Sequence, residues 1–144
     1  MAFTGTALLT RLRVMKVKLE SSKGSYATAD QAGHVFDLKC ETTAEYISRV
    51  GTGQYRGPQF QGKIGEKTGR CSFKAELKGN AAHGMDPFAA ILLQACGFKK
   101  TTESYSVHSG HADDSTLSIA VWENGKKKML SGCSGKIKIT GSHG

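Results

Sequence analysis

Residues 117–130 read LSIAVWENGKKKML. Leu117, Ile119 and Val121 alternate with Ser118, Ala120 and Trp122, the period of two that sends successive side chains to opposite faces of a strand. The run continues into Asn124-Gly125, a pair suited to the positive φ that a type I′ turn needs at both central positions, so 126–130, KKKML, is the hairpin partner. Beyond it KIKIT, 136–140, sets Ile137 and Ile139 against Lys136 and Lys138 and predicts a final strand. The small residues SGCSG, 131–135, predict a bulge or bend between the two.

The same period recurs upstream. In RCSFKAELK, 70–78, Cys71, Phe73, Ala75 and Leu77 share one face and Arg70, Ser72, Lys74, Glu76 and Lys78 the other, which predicts a half-buried strand. Met15, Val17 and Leu19 alternate with Lys16 and Lys18, and Phe36, Leu38 and Cys40 with Asp37 and Lys39, placing strands near 12–20 and 34–42. TAEYISR, 43–49, either extends the second of these or begins a short strand of its own. One segment departs from the pattern. In MDPFAAILLQACGF, 85–98, Asp86 stands at the N-cap, Pro87 suits a first turn whose N–H has no partner in any case, and Gly97 supplies a left-handed C′ residue. Phe88, Ile91, Leu92 and Ala95 recur at helical spacing, and Leu93 is in reach of Phe98 past the glycine. The expected fold is mainly β: an antiparallel sandwich or barrel with one short helix, 87–96, packed on the sheet.

Residues 51–69, GTGQYRGPQFQGKIGEKTG, hold six glycines and no sustained period, which predicts a long glycine-rich loop. Arg56, Lys63 and Lys67 outnumber Glu66 there, and Tyr55, Phe60 and Ile64 are large apolar groups that are costly to leave in water. Such a loop suits ordering by a partner, with Tyr55, Arg56, Phe60, Lys63 and Ile64 as the candidate contact residues.

Composition narrows the classes further. A chain of 144 residues with 38% apolar side chains fits a single domain over 1–144, with residues 1–10 as a candidate N-terminal arm. Its longest apolar run, Phe88 to Cys96, falls short of the roughly 20 residues of a membrane-spanning helix. MAFTGTALL meets its first positive charges only at Arg11 and Arg13, the wrong order for a secretory leader, so synthesis in the cytoplasm is expected. Eighteen glycines without a period exclude collagen. Cys40, Cys71, Cys96 and Cys133 contain no CxxC pair; four could form two bridges in an oxidising compartment, but they read as reduced, largely buried thiols.

No motif for chemistry stands out. Gly51-Thr-Gly53 with Gly57 misses the dinucleotide spacing by one residue and opens no helix. His108, His111, Asp113 and Asp114 offer metal-ligand types, but in a turn-like segment that does not guarantee a shared ligand face. No GxSxG, HExxH or cysteine-nucleophile signature occurs, so neither an enzyme nor a bound cofactor or metal is expected. The net charge of +8 is unevenly spread: residues 1–50 carry seven basic and five acidic groups, 51–100 eight and three, 101–144 five and four. The excess centres on the glycine-rich segment and its following strand. Lys126–Lys128 form a second basic cluster, read as a solvated or subunit-facing tip in preference to a nucleic-acid site.

The run FKAELKGNAAHGMDPFAAILLQACGF, 73–98, a charged alternating strand leading to a proline-capped helix that ends in LLxACGF, resembles tail tube (major tail) proteins of tailed bacteriophages. Further features follow in the same order: L-x-x-x-x-V-x-x-x-K-L-E from Leu9 to Glu20, the strand Tyr105 to His108, the strand Ser115–Trp122, the Gly125 turn and GCSG at 132–135. The resemblance covers most of residues 9–140. It implies a structural protein of the virion tail, made in the host bacterial cytoplasm. Its subunits would form homohexameric rings stacked into a tube through which genomic DNA passes without sequence-specific binding. The implied partners are further copies of the chain and other tail proteins (tape measure, terminator, and sheath in a contractile tail), with no membrane. Residues 51–69 become the segment reaching a neighbouring subunit, and 87–96 the helix outside the barrel. A second reading is another small virion component, of the neck or head decoration, or a β-rich nucleic-acid-binding module.

Overall fold

The computed structural model describes residues 13–50, 59–79, 84–102, 104–110, 114–123 and 125–141. Strands account for 59% of them. In chain order the elements are β1 (Arg13–Leu19), β2 (Gln31–Gly33), β3 (Val35–Val50), β4 (Gln59–Ala75), α1 (Pro87–Ala95), β5 (Phe98–Thr101), β6 (Ser104–Val107), β7 (Leu117–Glu123) and β8 (Lys126–Cys133). The chain divides into two units, residues 37–74 and the remainder. The fold is mainly β, antiparallel and sandwich-like; among the described residues there is one short helix, and the sheets do not close into a barrel.

The larger unit is built on a four-stranded sheet in the order β2-β1-β7-β8. The NG hairpin forms as its sequence predicts, with Trp122 opposite Lys127 and Glu123 opposite Lys126, and with Gly125 at φ +80°. β1 lies antiparallel to β7, Met15 opposite Val121 and Val17 opposite Ile119. By strand alternation these four share one face with Leu117 and Leu130, and all six are buried. Each such side chain contributes about 1.5–3 kcal/mol relative to exposure. The alternation predicted for β7 holds, and Ser118 and Ala120 on its other face are fully buried as well. Over 117–121 this central strand has a neighbour on each side and a covered second face, which leaves it no solvent face there. β2 and β5 are short strands with no alternating signature in sequence.

α1 lies against β1, β2, β5 and β7. Its start and end sit where the sequence places them, with Pro87 in the first turn and Gly97 at φ +87°. Two details differ. Asp86 occupies the N-cap, but its side chain makes no capping hydrogen bond; instead its backbone N–H donates to the Lys78 carbonyl at 3.0 Å. The buried residues are Phe88, Ala89, Ala90, Leu93 and Ala95, while Ile91 and Leu92 of the expected stripe are only half-buried. With partners on more than one side, the closest approaches go to the small side chains Ala89, Ala90 and Ala95. The Phe88 ring rests directly on Gly33 of β2, where any Cβ would collide with it.

The predicted final strand does not form. β8 runs through the SGC segment with a register shift between Leu117 and Ile119 and with Gly132 at φ +66°, the bend expected there. The chain then leaves the sheet: Gly135 N–H donates to the Ala95 carbonyl at the end of α1, at 3.2 Å, and 134–141 join no strand. Ile137 and Ile139 remain 42% and 63% exposed, because alternation supplies a strand's side chains but not a neighbouring edge to pair with.

The smaller unit corrects the expected loop. β3 runs unbroken from Val35 to Val50, so 43–49 extends the strand predicted near 34–42. β4 begins at Gln59, which places 59–69 in a strand and pairs it with β3 in a two-stranded sheet. Cross-strand pairing supplies the order that the glycine-rich sequence does not signal by period. At its other end β4 stops at Ala75; Glu76–Lys78 lie outside it, and Leu77 is 57% exposed where a buried position was expected.

Candidate interaction surface

The β3–β4 ribbon carries the residues picked out in sequence. Tyr55 and Arg56 lie outside the described residues, and Phe60 falls in β4 with its side chain outside them. Lys63 and Ile64 are on β4 and exposed, so these two contact candidates are presented on a strand and not on a loop. Ile64 is 62% exposed.

Two further groups join them that the sequence reading did not single out. Tyr46 of β3 lays its ring across Gly62, which has no Cβ to obstruct it, and Ile47 sits beside Gly65. Gly62 and Ile64 share a face by alternation, so Tyr46 and Ile64 present one apolar patch, with Ile47 on the reverse. Tyr46 is 68% exposed and Ile47 49%. The available signal was the aromatic and β-branched content of YIS beside glycines that a cross-strand ring could cover. Leu38 is the one buried residue among those described in this unit. Near the opposite end Lys74 Nζ meets Asp37 Oδ2 at 2.6 Å, an exposed pair that holds the Asp37 carboxyl below its ordinary range. Asp37 takes φ +53°, a bend in the strand.

In the larger unit two carboxylates, Glu20 and Glu123, are committed to holding the sheet. Burial pushes the Glu20 carboxyl up, but four donors outweigh it and keep it below the ordinary carboxylate range. Thr116 Oγ1 donates at 2.6 Å, Ser118 Oγ at 2.7 Å, and the backbone N–H groups of Gly24 and Gly132 at 2.8 Å each. One carboxylate thus ties together the end of β1, the start of β7, the β8 bulge and the turn at 21–24. Glu123 receives Lys128 at 3.2 Å and Arg13 at 2.6 Å, which lowers its carboxyl too. The pleat therefore splits the Lys126–Lys128 cluster: Lys126 and Lys128 share a face with Glu123, and Lys127 points the other way.

Of the possible metal ligands, His108 and Asp114 come to 3.9 Å, while His111 and Asp113 lie outside the described residues. His108 Nδ1 stands 3.1 Å from the Gly110 carbonyl, and Nε2 is buried without a hydrogen bond among the described residues. None of the described residues forms a group of three or more potential metal ligands. The four cysteines are unbridged and only half-buried, short of the burial expected of them; burial still pushes the Cys96 thiol up, away from a reactive thiolate. No described helix is long and apolar enough to cross a membrane. Comparison of the chain with family models, with curated proteins and with solved structures finds no match.

Proposed function

We propose that this protein is a self-assembling structural subunit of a phage tail tube, polymerising as stacked hexameric rings in the virion tail. The observation that carries this reading is the β3–β4 ribbon. Two strands of 16 and 17 residues leave Tyr46 and Ile64 largely, and Ile47 about half, in water, and a two-stranded sheet is marginal by itself. An exposed apolar patch on such an element favours a partner that covers it. A second copy of the chain is the partner that the resemblance at 73–98 supplies. The Glu20 and Glu123 clusters are occupied in holding the sheet. Other tail proteins and the passing genome are the remaining partners under this reading.

Electron microscopy with light scattering across concentration tests it. Hollow rods or six-fold rings are the expected result, and replacing Tyr46 and Ile64 together by alanine leaves a folded protein that no longer assembles. A monomer at every concentration overturns the proposal, as does undiminished assembly of the double variant.

A further inference from the structure

The sheet face turned away from α1 is covered at one end and open at the other. At the covered end the 25–30 segment crosses it: Ala27 N–H donates to Ser118 Oγ at 2.9 Å, Ala29 is buried, and Lys18 pairs with Asp30 at 2.8 Å. The open end holds Val14, Lys16, Trp122, Lys127 and Met129, placed together by the pairings Val14–Trp122–Lys127 and Lys16–Ala120–Met129. Val14 and Met129 are 49% and 58% exposed. Both ammonium groups stand over aromatic rings. Lys16 Nζ is 5.6 Å from the Trp122 ring centre; Lys127 Nζ is 5.1 Å from the same ring and 6.0 Å from that of Tyr26.

We propose that this open half-face, centred on Trp122 with Lys16 and Lys127, binds the phosphate backbone of nucleic acid without regard to sequence. Neither lysine has a carboxylate partner among the described residues; the nearest acidic side chain on the hairpin, Glu123, points to the opposite face and is held by Arg13 and Lys128. The rings hold the two ammonium groups in place, so less side-chain freedom is lost when they meet an anion. They reach the face from β1 and β8, two strand spacings or about 10 Å apart, a separation over which a repeating polyanion can meet both. Because the lysines already occupy the ring, the contact is electrostatic and not base stacking, which predicts counterion release as its signature. The overall charge of +8 adds attraction at long range. This inference does not depend on the assembly reading.

Trp122 is the sole tryptophan, so its emission reports the site directly. The experiment titrates the protein with a short mixed-sequence duplex DNA, and separately with poly-glutamate, between about 50 and 200 mM salt. Light scattering fixes the association state throughout, so a failure to bind is read apart from a failure to assemble. A saturable change in Trp122 emission with DNA is expected. In the K16Q/K127Q variant the slope of log affinity against log salt becomes shallower by about two, and by about one in either single variant. The K136Q/K138Q variant, which removes the same charge elsewhere, keeps the wild-type slope. Circular dichroism confirms that each variant is folded. An unchanged slope in K16Q/K127Q, an equal loss in K136Q/K138Q, silent tryptophan emission, or tighter binding of poly-glutamate than of DNA each overturns the proposal.

Discussion

The four-stranded sheet and the β3–β4 ribbon are made of the same kind of alternating sequence and end in opposite conditions. In the sheet, five consecutive residues from Leu117 to Val121 are buried. In the ribbon, which is more than twice as long strand for strand, Leu38 is the one buried residue among those described. The difference lies in neighbours. β7 has a strand on each side, a helix against one face and the 25–30 segment over the other, whereas β3 and β4 each pair once. Alternation makes a residue able to be buried; it takes a second layer to bury it. A region closed on itself carries stability, and a region left open carries apolar surface for something else.

Substitutions that treat the two regions alike should therefore give unlike results. Met15→Ala empties a fully buried position under α1, and denaturant unfolding should show a loss of about 2–5 kcal/mol. A loss below about 1 kcal/mol would mean that the sheet core is not where the unfolding transition gets its cooperativity.

The middle case is Glu20→Gln, which keeps shape but weakens the four hydrogen bonds that join β1, β7 and β8. Partial exposure limits the cost to about 1–2 kcal/mol near neutral pH. Its pH dependence has a definite sign. The Glu20 carboxyl is held below its ordinary value of 4.5 in the folded protein, so its contribution is fully present above that pH and is lost as pH falls through the folded value. Unfolding curves of wild type and variant should consequently converge on acidification below pH 4.5. A gap that stays constant would assign the effect to packing and not to the charge.

The smallest effect belongs to the ribbon. Ile64→Ala should change unfolding free energy of the dissociated protein by no more than about 0.5 kcal/mol, because the side chain it removes is already in water. A larger loss in dissociated protein would show that the ribbon is covered within a single chain and would remove the contrast.

The structure followed the sequence most closely where a local signal was self-sufficient. The turn predicted at Asn124-Gly125 lies where Glu123 pairs with Lys126, and Gly125 takes the positive φ, +80°, that such a turn needs. Pro87 and Gly97 bounded the helix for similarly local reasons. Where the outcome depended on a distant partner, the pattern was silent or misleading. Residues 59–69 lack a period, yet they pair with β3; 136–140 have a faultless period, yet they pair with nothing described. Of the candidate contact residues, Lys63 and Ile64 were legible as exposed. Tyr46 was not, because its place across Gly62 exists only once β3 and β4 are in register. The Trp122 face was hidden in the same way, with its lysines 111 positions apart along the chain.

By itself the sequence determined the strand-rich character, the turn at 124–125, the limits of helix α1 and the absence of a long apolar span. These depend on backbone conformation and on side-chain spacing within about a dozen residues. Tertiary structure alone decided which alternating segments acquired a second layer, which glycines lie beneath aromatic rings, and which lysines meet carboxylates and which meet tryptophan. Those outcomes depend on strand order and register, and a residue carries no local record of the neighbour that the fold will bring to it.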